Sequence, residues 1–128
     1  MTITLWCLFG VLLVPIVLAA IGGYFRGKEF DTVDNKYPRL QASQLTGIGA
    51  RVYAAQENAW EAAILFTAAA LTSHLTGVSP EASAPWALGF VAARVLHAAL
   101  YISDKDTARS LAFFASIVCV VALFVQAA

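Results

Sequence analysis

Charge is what this chain has least of. Lys, Arg, Asp and Glu together make up 12% of its 128 residues, and none occurs before Arg26. A soluble domain carries roughly twice that share and needs it to cover its surface. With 60% hydrophobic residues and a mean hydropathy of +0.74, the chain reads as an integral membrane protein in contact with a lipid bilayer. Its eight basic and eight acidic residues cancel, which leaves no electrostatic footprint for nucleic acid. Apolar content this high also excludes a disordered chain. Cysteine is scarce too. Cys7 and Cys119 stand far apart in apolar stretches, and two such positions make neither a disulfide framework nor a metal site, so both are read as packing residues. Met1 to Phe25 lacks the basic segment that opens a cleavable signal peptide and is read as a retained first span.

Charged residues divide the rest into hydrophobic blocks, and each must supply about 20 residues to cross a bilayer core of about 30 Å. Ile3 to Tyr24 and Ser110 to Ala128 do so without a charge. The middle blocks do not. Ala62 to Leu75 is too short unless it extends back through Glu61, Glu57 and Arg51, and Ala82 to Ala93 needs Arg94 and the residues up to Ile102. The reading is therefore an all-α, four-helix membrane bundle forming one domain over 1–128, with spans at about 3–24, 46–75, 82–102 and 108–127. Both middle helices then carry ionisable groups at membrane depth.

Arg26 to Leu40 is the longest polar connection, Thr76 to Ser83 a short turn without Lys or Arg, and Ser103 to Thr107 a tight link in which Asp106 or Thr107 could cap the last helix. Basic residues concentrate in the first and third connections, so both termini are expected on the non-cytoplasmic side. Trp6, Trp86, Tyr24 and Tyr37 fall near span ends as interfacial anchors, and His74 reads as a plain interfacial histidine.

A charge at the bilayer centre costs at least about 2.5–3.5 kcal/mol, so intramembrane Arg and Glu face a partner or a wet cavity. Counting 1.5 Å per residue from the polar end puts Asn58 and Glu61 roughly 18–22 Å deep, and Arg94 roughly 13 Å deep on the antiparallel helix. Arg51, Ala54, Asn58 and Glu61 share one helical stripe; Arg94, His97 and Tyr101 share another. The plain structural reading is a buried Glu61–Arg94 ion pair fixing helix register. Against it, Arg51, Arg94, Arg109, Asn58, His97 and Tyr101 surround a single well-placed acid, a donor-rich arrangement suited to an anion. Glu57 points away from this stripe and reads as a subunit-interface contact.

The stretch RVYAAQENAWEAAILF (Arg51 to Phe66) resembles the second-helix signature of the MAPEG family, the membrane-associated proteins in eicosanoid and glutathione metabolism. The preceding DNKYPR and the later ARVLHAALYISDKDTARSLAFF (Ala93 to Phe114) resemble that family's bacterial branch. The resemblance implies a homotrimer of four-helix subunits, in a bacterial inner membrane, with glutathione as co-substrate bound between neighbours on the cytoplasmic side. It implies that Gln56, Asn58 and Glu61, together with Arg94 and Tyr101, bind the tripeptide, and that Arg109 stabilises its thiolate. His97, between Arg94 and Tyr101, and Arg51, on the Asn58 face, join the candidate binding residues. The activity implied is a glutathione-dependent transferase or peroxidase acting on apolar small molecules. Two departures stand out: Ala54 occupies the place where catalytic members carry an arginine, and the Tyr101 to Arg109 interval is one residue longer than in the eukaryotic enzymes. The alternative is a non-catalytic ligand-binding module or an accessory subunit of a membrane complex. A small four-helix drug exporter fits the length but not the charge-free first helix.

Overall fold

A computed structural model describes all of residues 1–128 as helices and their connections: α1 (Ile3–Phe30), α2 (Pro38–Ser43), α3 (Gly47–Leu75), α4 (Pro80–Ile102) and α5 (Asp106–Ala127). By length and composition α1, α4 and α5 are able to cross a membrane; α3, which holds Arg51, Glu57 and Glu61, is the longest helix but not among them. The protein is an all-helical integral membrane protein.

The four long helices form an antiparallel bundle. α1 lies against α3 and α4, α5 lies against α4 and α3, and α1 and α5 do not touch. α3 and α4 are the shared inner elements, and the inward face of α3 is small: Gly49, Ala55, Ala59, Ala62, Ala63, Ala69 and Ala70 are all buried. Small residues let helix backbones approach, which is how helices associate where apolar burial supplies no driving force. Phe66 is the bulky exception and stacks on Phe90 of α4, centroids 4.3 Å apart. Gly89 of α4 makes room for Cys119 of α5, whose sulfur would lie 3.2 Å from an added Cβ.

Large apolar side chains point outward instead. Ile16 and Val17, Ile64, Val95 and Leu96, Phe114 and Val118 are exposed along the long helices. An apolar exterior of that extent belongs against lipid or another subunit.

The ends differ sharply. Both termini and the α3–α4 turn share one end, where Thr4 bonds Ser83 at 2.9 Å and Gln126 donates to the Ala82 carbonyl at 3.1 Å. Thr2 and Ser79 cap α1 and α4 there through their hydroxyls. The other end holds every Lys and Arg except Arg94. The polar segment expected as one connection proves partly helical: α1 runs on through Arg26 and Lys28 to Phe30, and α2 begins at Pro38, where proline's fixed φ suits a first turn. Asp34 accepts from the backbone of Lys36 and Tyr37, and Gln41 bridges Asp34 N and Thr32 O, holding this segment in shape. Glu29 accepts from Thr46 N and Oγ1, tying the end of α1 to the start of α3. α5 starts without a side-chain cap on Lys105; Asp106 turns to the backbone N–H of Thr107 at 2.6 Å instead.

Candidate functional site

Arg94 is the centre of the polar cluster. It is 4% exposed, held between α3 and α5. Its Nη2 donates to the side-chain oxygen of Asn58, to the Asn58 backbone carbonyl at 3.4 Å and to His97 Nδ1 at 3.3 Å. A guanidinium has donors only, so His97 Nδ1 must accept, which puts the ring proton on Nε2 and leaves the imidazole neutral. Asn58 in turn donates from Nδ2 to Glu61 Oε2 at 3.2 Å. Arg94 Nη1 has no hydrogen-bond partner, the one buried side-chain nitrogen or oxygen in the chain so placed.

The cluster continues along α4. The ring of His97 meets Tyr101 edge-on, with centroids 5.7 Å apart, and the Arg109 guanidinium lies 4.1 Å above the Tyr101 ring. Arg109 sits in the first turn of α5, where partial positive charge from the helix N-terminus adds to its own. Glu61, Asn58, Arg94, His97, Tyr101 and Arg109 thus form one continuous chain of contacts, from a carboxylate at the α3 surface to a partly exposed cation at the bundle's basic end.

Two expected members lie elsewhere. Arg51 shares the Asn58 stripe but turns to the α4–α5 link, donating from Nε to the Ile102 carbonyl at 3.0 Å and pairing with Asp104 at 3.9 Å. It closes the C-terminal end of α4, whose last carbonyls have no helical partner, and so does not replace the guanidinium missing at Ala54. Gln56 is two residues from Asn58, about 200° around the helix. It lines a separate cavity of about 240 Å³ with Arg26, Pro38, Arg39 and Tyr53, beneath α2. The Glu61–Arg94 ion pair is also absent: the chain's one ion pair is Arg51 with Asp104.

Beside Arg94, a cavity of about 120 Å³ opens between α3, α4 and α5, lined by Asn58, Glu61, Leu65, Phe90, Phe113 and Ser116 among others. Its apolar walls carried no signal in the sequence, since Phe90, Phe113 and Ile117 look like any span residue. Arg26 and Arg39 did carry one, as part of the basic connection, but charge alone told of topology and not of a cavity.

The arrangement offers buried donors beside an apolar space and a partly exposed arginine at its polar end. It can hold an anionic or acceptor-bearing ligand near a medium rich in apolar molecules. In comparisons with known proteins, the model of the MAPEG family matches residues 3–128. No curated protein and no solved structure matches.

Proposed function

The chain belongs to the MAPEG family, and from that premise we propose that it binds glutathione or a related thiol and activates it for attack on an apolar electrophile or hydroperoxide, as a transferase or peroxidase. The observation that carries this reading is the chain of contacts from Glu61 through Asn58 and Arg94 to Tyr101 and Arg109, which sets an accessible arginine beside a donor-rich cluster at the edge of the apolar bundle.

A free thiol with a pKa of about 8.5 is only a few per cent ionised at neutral pH, and each unit of depression takes about 1.4 kcal/mol of preferential stabilisation of the anion. Arg109, half-buried over Tyr101 at a helix start, is suited to supply it. The thiolate sulfur then bonds to an electrophilic carbon of a substrate arriving from lipid, adding to it with uptake of a proton or expelling a leaving group. With a hydroperoxide it attacks oxygen, and the O–O bond breaks to give an alcohol and glutathione sulfenic acid, which a second thiol converts to disulfide and water. The reading includes four spans, with α3 crossing beside α1, α4 and α5, and a homotrimer in a bacterial inner membrane with both termini outside. Shielding of α3 favours assembly, because Glu57 and Glu61 are exposed partway along it. The two cavities lie on different faces of α3, so one tripeptide touches both Gln56 and Asn58 only if they come from neighbouring copies.

The test is a rise in ultraviolet thiolate absorbance on adding glutathione, with Arg109→Ala abolishing the rise while weakening binding only modestly. A wild type with neither a thiolate signal nor conjugation of a reactive apolar electrophile removes the enzyme reading. One observation favours a second reading, a non-catalytic ligand-binding module or accessory subunit: Ala54 leaves the catalytic members' arginine unreplaced, since Arg51 is committed to Ile102 and Asp104.

A further inference from the structure

The link between α4 and α5 is three residues long, Ser103 to Lys105, and Tyr101 before it touches Arg109 after it. Local bonds shape this corner. Lys105 N donates to the Leu100 carbonyl at 2.9 Å and Asp104 N to the Tyr101 carbonyl at 3.2 Å, the pair of bonds that ends a helix on a left-handed residue. Glycine usually fills that position; here it is Asp104, with φ 61°. α5 then begins with Arg109 N donating to the Lys105 carbonyl at 2.9 Å.

These bonds attach the corner to no other helix, and they leave the Ile102 carbonyl without a helical partner. Arg51 of α3 supplies what is missing. Its Nε donates to the Ile102 carbonyl at 3.0 Å, and its Nη1 stands 3.9 Å from the Asp104 carboxylate. They are the only hydrogen bond and ion pair between this corner and α3. The Asp104 side chain is 77% exposed, so its ion pair contributes little, and the charge-assisted bond to Ile102 is the stronger tie. Arg51 also stands two turns before Asn58 on the same face of α3. It therefore refers the corner to the helix that carries Asn58 and Glu61. Because the link is so short, any movement of the α4 end passes to the first turn of α5, where Arg109 sits.

We propose that Arg51 is a positioning residue: by holding the Ile102 carbonyl it fixes the α4–α5 corner against α3, and so keeps Arg109 on the Tyr101 ring and in register with Asn58. That Arg109 then faces a thiol rests on the function proposed above; its placement by Arg51 does not.

Side-chain length supplies the test. In glutamine the amide nitrogen is as many bonds from the backbone as Nε is in arginine, whereas methionine has a methyl group there and asparagine ends one bond short. Guanidinium N–H NMR on the protein in lipid nanodiscs, without glutathione, reads Arg109 directly. The signal that disappears in Arg109→Lys should lie upfield, displaced by the Tyr101 ring. Arg51→Gln should keep that displacement and Arg51→Met should lose it, with Arg51→Asn in place of the methionine variant if thermal unfolding shows that one to be unfolded. When glutathione is added, the pH of half-ionisation read from thiolate absorbance should rise by about one unit in Arg51→Met, a tenfold change, and return in Arg51→Gln, with glutathione still bound by both. A wild-type Arg109 signal without the displacement, a displacement that persists in folded Arg51→Met, one that vanishes in Arg51→Gln, or a half-ionisation pH that does not follow the Arg109 signal overturns the proposal. A wild type without any thiolate signal removes the thiol reading alone, and the comparison made without glutathione still decides whether Arg51 places Arg109.

Discussion

Arg94 binds the side-chain oxygen of Asn58, and reaches the carboxylate of Glu61 only through that amide. A buried cation with a direct carboxylate partner is neutralised where it sits. Here the partners are a neutral amide, a backbone carbonyl and a neutral imidazole, so the positive charge remains available in the interior.

This relationship separates Asn58 from Glu61 in their effects on stability. Asn58→Ala should cost about 1–2 kcal/mol, because it removes the side-chain acceptor of a buried guanidinium and leaves Arg94 Nη2 only the longer bonds to the backbone carbonyl and His97. Glu61→Gln should cost less than about 1 kcal/mol, since the group is exposed and an amide oxygen still accepts from Asn58. Denaturant titration in mild detergent measures both. A larger loss for Glu61→Gln would restore the direct ion pair.

Helix contact at the basic end depends on Gly49. A Cβ there would lie 3.0 Å from Leu45 Cδ2 and 3.2 Å from Phe25 Cβ, the latter close to the α1 backbone and unable to swing aside. Gly49→Ala is therefore expected to destabilise by about 1–3 kcal/mol through overpacking. Thermal unfolding in detergent reads the change, with Gly10→Ala, where an added Cβ meets nothing, as the comparison.

Assembly can be probed through the two faces of α3. Gln56→Ala and Asn58→Ala subunits should each bind glutathione poorly alone, yet regain part of the binding when co-expressed, because some interfaces in mixed trimers recover both side chains. Calorimetry after native mass spectrometry of the mixed species makes the measurement. Recovery in a monomer, or none in verified mixed trimers, counts against a shared site.

The proposed orientation rests on the uneven ends. With the basic end cytoplasmic, a cysteine at the exposed Glu81 should react with an impermeant maleimide from outside, whereas Lys36→Cys should react only after permeabilisation. Native Cys7 and Cys119 are buried and add little background. The opposite labelling pattern would overturn the proposed topology.

Much of this protein was legible in its sequence. Scarce charge and long apolar runs determine that the chain belongs in a membrane, and the 3.6-residue period places Asn58 with Glu61, and Arg94 with His97 and Tyr101, on shared faces whatever else happens. Thr46 and Ser103 stand at the ends of α3 and α4. Tertiary structure alone decided the partners. A stripe constrains direction only loosely, and a long side chain such as Arg51 spans enough distance to leave its stripe for Ile102 and Asp104. Whether Arg94 meets Asn58 or Glu61 depends on the axial offset of α4 against α3, where a single residue's rise is about 1.5 Å, half a hydrogen-bond length. The cavity walls were beyond reach for another reason: Phe90, Phe113 and Ile117 are interchangeable with any other apolar residue of a span until packing shows which of them face a gap, because void space is a property of how helices meet and is written in no single helix.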